Sequence, residues 1–126
     1  MFEKKVTASD YVLVIENLIM ASHEDFETWS TLCVGFNESK NLLIRLNYFN
    51  DNNPNSNSQT YAVIDKDNAF QMSSFLGIKL IELPDFLYEK FKDTLTVPAP
   101  SDVQYLFQRI LDFVMDCEVN YKIVTI

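Results

Sequence analysis

The side chains in this chain best suited to chemistry are one histidine, two cysteines and a set of regularly spaced acids. His23 stands beside Glu24 and Asp25, where neighbouring carboxylates would raise its pKa and let it act as a base. As the only histidine it cannot build most zinc sites or catalytic triads, and a surface histidine past a helix end is the simpler reading. Asp65 and Asp67 resemble the opening of a calcium loop. Phe70 and Leu76, however, occupy the positions of the loop's glycine and its bidentate glutamate, so the match fails. Cys33 and Cys117 have no basic neighbour in sequence to stabilise a thiolate. Asp112 and Asp116 share a helix face, but paired carboxylates are common in so acidic a chain, and a solvated face explains them better than acid–base catalysis. Gly35 and Gly77 are the only glycines, too few for a dinucleotide fingerprint or a P-loop. These residues predict no catalytic group, no metal site and no cofactor.

The placement of the acids is less ordinary. Asp85, Glu89 and Asp93 recur every four residues, a spacing at which like charges cost an isolated helix about 0.2–0.5 kcal/mol per pair. Asp93, Asp116 and Glu118 fall near predicted helix C-termini, where an exposed acid opposes the macrodipole by roughly 0.3–1 kcal/mol. Lys90, Lys92 and Arg109 offset part of this. Glu24, Asp25 and Glu27 form a third cluster.

Positioning these groups requires a folded body, and 126 residues with 48% hydrophobic content suffice for one domain with a real core. Ten Phe and six Tyr argue against disorder. The net charge of −8 is spread evenly over both halves of the chain. It repels nucleic acid and anionic lipid, and the scattered bases form no cationic stripe, so neither direct nucleic-acid binding nor membrane binding is expected. No apolar run is long enough for a membrane span, and no signal-peptide cleavage site is evident, which points to a cytoplasmic protein with both cysteines as buried free thiols. Asn37-Glu38-Ser39 matches a glycosylation acceptor but carries no weight without secretion.

Periodicity assigns the elements. Tyr11, Val14, Ile15, Leu18 and Ile19 share one face of a helix over residues 10–21, capped by Thr7 or Ser9. Residues 26–36 fit a helix or a strand equally. A strand over 41–49 turns Leu42, Ile44, Leu46 and Tyr48 to one side. Residues 50–59 form an exposed Asn-rich loop before a partner strand over 60–64. Asp65-Lys66-Asp67-Asn68 is expected to be a turn and 78–83 a third strand. Pro84 suits the start of a helix running to about Leu95, with Leu87 and Phe91 inward. Ser101 and Gln104 form a capping box for the clearest helix, whose buried face is Val103, Leu106, Phe107, Ile110, Leu111, Val114 and Cys117. Residues 121–126 close the chain as a strand. The whole, residues 1–126, is expected to be one α+β domain with a mainly antiparallel sheet of about four to five strands packed against N-terminal and C-terminal helices.

Two functions fit this description. The first is a non-catalytic acidic binding protein of inhibitor or immunity type, which neutralises a basic protein such as a nuclease toxin. Its contacts would come from Glu24, Asp25, Glu27, Asp85, Glu89, Asp93, Asp112 and Asp116, with Trp29, Tyr61 or Tyr88 as aromatic anchors. The second is a homodimeric, secretion-chaperone-like adaptor that binds an extended segment along the edge strand at 121–126. Sequence alone leaves monomer and dimer equally open.

Overall fold

The computed structural model describes residues 15–22, 28–92 and 99–126. Ile15–Ala21 forms a strand, β1, where periodicity predicts a helix over 10–21; residues 10–14 lie outside the described residues. The cause is non-local. These residues pair antiparallel with β2 (Thr28–Phe36), and a bulge between Leu18 and Met20 inserts one extra residue. Ile19 and Met20 therefore both reach the core, while Leu18, which the helical stripe places inward, is exposed. The formation of β2 also settles the ambiguous stretch as strand over 28–36.

The chain continues through β3 (Leu42–Asn50) and β4 (Ser58–Ile64), and β5 (Lys122–Thr125) joins last. The sheet order is β1-β2-β3-β4-β5 with every pair antiparallel. Residues 51–57 are exposed and include one 3-10 turn at Pro54–Ser56. Asn50 organises this connection: its Oδ1 accepts from the amides of Asn52 and Asn53 at 3.0 and 3.1 Å, and its own N–H donates to Asn57 Oδ1 at 2.8 Å.

Alternation gives the sheet two faces. One carries Leu32, Val34, Phe36, Leu42, Ile44, Ala62 and Ile64 into the main core. Three helices cover that face. α1 (Lys66–Leu76) replaces the turn expected at 65–68: Asp65 caps it by accepting from the Asn68 amide at 2.8 Å, and Gly77 ends it at φ 72. The strand expected over 78–83 does not form; a 3-10 turn at Leu80–Glu82 leads instead into α2 (Leu83–Phe91). Leu83, Leu87 and Phe91 bury their side chains in the core, which holds this segment against the face of the sheet and leaves it unpaired with any strand.

α3 (Pro100–Asp116) buries six of the residues its spacing predicts, and the seventh, Cys117, is buried at its C-cap. Its cap differs from expectation. Pro100, which lacks the N–H an N1 residue would leave unpaired, starts the helix one residue before Ser101, and Asp102 Oδ2 accepts from the Ala99 amide at 2.7 Å. The result is an α+β fold with its described helices on one side of a five-stranded sheet. The expected N-terminal helix is absent over 15–21, the part of it that is described. No helix among the described residues is long and apolar enough to cross a membrane.

Candidate functional site

α2 and α3 lie side by side. Phe86 stacks on Phe113 with centroids 6.1 Å apart, and Phe91 meets the same ring edge-on at 5.7 Å. With Leu87 and Phe91 turned to the core, helical geometry sends Asp85 and Glu89 to the outer side of α2. With Ile110 and Val114 inward, it sends Asp112 and Asp116 to the outer side of α3. All four acids are exposed. The structure thus brings four of the eight predicted partner-binding residues onto one helix layer. Glu24, Asp25, Glu27 and Asp93 lie outside the described residues, as does His23.

Each of the four acids has a different local role. Asp85 accepts from Asn17 Nδ2 at 2.8 Å, tying α2 to the edge of β1. Glu89 pairs with Lys92 at 3.1 Å, an exposed contact of small energetic weight. Asp112 accepts from Gln108 at 3.0 Å. Asp116 is the last residue of α3 and makes no ion pair or side-chain hydrogen bond among the described residues. Its carboxylate sits at the negative end of the α3 dipole, which opposes its charge.

The cations between these acids are held by aromatic rings. Lys90 Nζ lies 4.9 Å from the Phe113 centroid and 5.7 Å from that of Phe91. Arg109 lies 5.9 Å from both the Phe91 and the Tyr105 rings. Neither forms an ion pair among the described residues, so of the four acids only Glu89, through Lys92, is ion-paired there. Sequence reading saw these cations only as charge offsets. The Tyr105–Arg109 spacing of four was a usable signal; the Lys90–Phe113 contact needs helix packing and was not legible.

The expected aromatic anchors divide. Tyr61 is only 2% exposed and donates its hydroxyl hydrogen to Gln59 Oε1 at 3.0 Å, so it is not available to a partner. Trp29 is half-buried and stacked on Phe49 at 4.0 Å, and Tyr88 is half-buried on α2. On α3 the exposed candidates are ones sequence reading passed over, Tyr105 at 67% and Met115 at 53%.

The other chemistry-bearing residues have structural settings. Asp65 caps α1 and Asp67 lies in its first turn, both ordinary places for acids at a helix N-terminus. Among the described residues no group of three or more His, Cys, Asp or Glu is placed to hold a metal ion. Both thiols are buried and free. Cys117 belongs to the main core, whereas Cys33 alternates onto the opposite sheet face, so the sheet itself separates them. Burial raises the Cys33 pKa; Arg45, directly opposite on β3, pulls it down without overcoming the burial. Burial likewise raises Cys117, helped by the charge of Asp116. Arg45 also reaches Glu16 at 3.3 Å. No protein-family model, curated protein or solved structure matches this chain.

Proposed function

We propose that the protein is a non-catalytic acidic binding protein of inhibitor or immunity type, which neutralises a basic protein partner such as a nuclease toxin. The observation that carries this reading is the shared exposure of Asp85, Glu89, Asp112 and Asp116 on the α2–α3 layer, with Lys90 and Arg109 drawn onto rings. Asp116 persists where it opposes the helix dipole, a position that solubility alone does not require. Carboxylates on such a surface steer a cationic partner and set its register, while Tyr105 and Met115 supply the apolar contact that affinity needs.

The test is affinity capture with mass spectrometry, comparing the wild-type chain with a variant carrying Asp85→Asn, Glu89→Gln, Asp112→Asn and Asp116→Asn. The expected result is a strongly basic protein retained by the wild type and lost by the variant. Retention of the same basic protein by both chains overturns the assignment of this surface.

A second reading is supported by the sheet edge. β5 is the last strand in the sheet order, so its outer side is unpaired among the described residues, and Ile123 and Ile126 are exposed there. A homodimeric adaptor would add an extended segment to this edge. A stable dimer that binds unfolded peptides favours it; a monomer that binds a folded basic protein favours the first reading.

A further inference from the structure

We infer that the groove between the β2–β3 turn and the Lys79–Ile81 segment binds a small monoanionic amphiphile, a carboxylate with an aliphatic or aromatic tail. The groove has a volume of about 450 Å3, within the roughly 300–1,000 Å3 of small-molecule sites. Phe36, Leu80 and Ile81 supply its apolar surface. Ile81 is 63% exposed, a large hydrophobic side chain left mostly in water by the fold itself.

Both walls are fixed before any ligand arrives. In the turn, the Asn37 amide donates to Asn41 O at 3.1 Å and the Lys40 amide to Asn37 O at 3.0 Å, while Asn37 Oδ1 accepts from the Asn41 amide at 3.0 Å. Lys40 is held at φ 65, a conformation non-glycine residues adopt rarely. Across the groove, the Lys79 amide donates to Glu82 Oε1 at 2.9 Å and the Glu82 amide to Lys79 O at 3.0 Å. A pre-formed site avoids the cost of ordering loops on binding.

Charge selects the ligand. Lys40 and Lys79 bring two ammonium groups to the groove, against the lining acid Glu38 and the Glu82 carboxylate already engaged by the Lys79 amide, so in a chain of net charge −8 the described groups about this mouth sum to zero. Such a mouth admits a monoanion that the acidic remainder of the surface repels. A phosphate dianion fits less well, because no arginine fork and no helix N-terminus is among the described lining residues. The tail lies on Phe36, Leu80 and Ile81, and the carboxylate sits between the two ammonium groups.

The probe is sodium octanoate, titrated into the isotopically labelled full chain and followed by amide chemical shifts, with octylammonium as the charge-reversed control. Octanoate should produce saturable shifts confined to residues 36–40 and 79–81, and octylammonium should bind more weakly. Lys40→Ala and Lys79→Ala should each weaken octanoate by about two- to fivefold, the range of exposed charge pairs, and Ile81→Ser should weaken both probes. All three positions are on the surface, and unchanged shifts elsewhere will establish that the variants fold. Equal or tighter binding of octylammonium overturns the proposal. So do shifts centred on other exposed apolar residues such as Phe70 and Phe75, or an octanoate affinity that the double lysine variant leaves unchanged.

Discussion

Lys90 Nζ stands 4.9 Å from the centroid of Phe113, so a cation of α2 is seated on a ring of α3 with acids of both helices nearby. Such a contact contributes about 0.5–1 kcal/mol at an exposed site. A double-mutant cycle of Lys90→Met and Phe113→Leu, read by urea denaturation, should give a coupling energy of that size. Zero coupling would mean that Lys90 is simply solvated and that its charge is free to neutralise neighbouring acids.

Asp116 ends α3 with no partner for its carboxylate among the described residues. Asp116→Asn should stabilise the protein by roughly 0.3–1 kcal/mol at low salt, and less at high salt, because it removes a charge opposed to the helix dipole. Loss of stability in this variant would reveal a structural role for Asp116 and weaken the case that it is kept for a partner.

Gly77 closes α1 at φ 72, and no atom lies within 4 Å of where a Cβ would stand. Gly77→Ala should therefore cost about 1–2 kcal/mol through backbone conformation alone. Asp65→Ala should cost about 1 kcal/mol by removing the cap at the other end. Thermal or urea midpoints check both; a neutral Gly77→Ala would contradict the left-handed cap.

These two residues also mark what sequence could convey about α1. Asp65 and Gly77 are of types that cap helices, yet Asp65 reads locally as part of a turn, and the helix between them buries only Ala69, Met72 and Ser73 and leaves Phe70 and Phe75 exposed, so periodicity gives no helical stripe. In β1 the apolar residues at 15, 18 and 19 recur at helical spacing, but pairing with β2 decided the outcome. α3 was readable because its apolar face is long and regular, and β3 because Leu42, Ile44 and Leu46 recur at every second position. At the candidate site, intra-helix spacing placed Asp85 with Glu89 and Asp112 with Asp116. That the two pairs share one layer depends on how α2 packs against α3, which no local pattern encodes.

The thiols predict a pH dependence. Burial raises both pKa values, so the folded state holds protons that the unfolded chain releases above about pH 8.5. The linked stability is fully present below that pH and is lost as pH rises toward the folded values. Between neutral pH and about pH 10, the wild-type urea midpoint should fall more steeply than that of a Cys33→Ala/Cys117→Ala variant, whatever the variant's starting stability. Native thiol labelling at neutral pH should be slow at both sites. Parallel pH profiles, or fast labelling of Cys33, would contradict the burial argument.

The central claim is that the carboxylates of α2 and α3 meet a basic protein, and association kinetics with the captured partner test it most directly. Rates would be measured by stopped flow at about 20 and 200 mM ionic strength, where screening differs strongly. The proteins compared are the wild type, the Asp85→Asn/Glu89→Gln and Asp112→Asn/Asp116→Asn pairs, and Asp51→Asn on the exposed β3–β4 connection as control. Rim charges act mainly on the on-rate, so at least one pair should slow association at low salt and flatten its salt dependence, while Asp51→Asn leaves both unchanged. A salt-independent on-rate that neither pair alters would contradict the account and reduce this acidic surface to solvation.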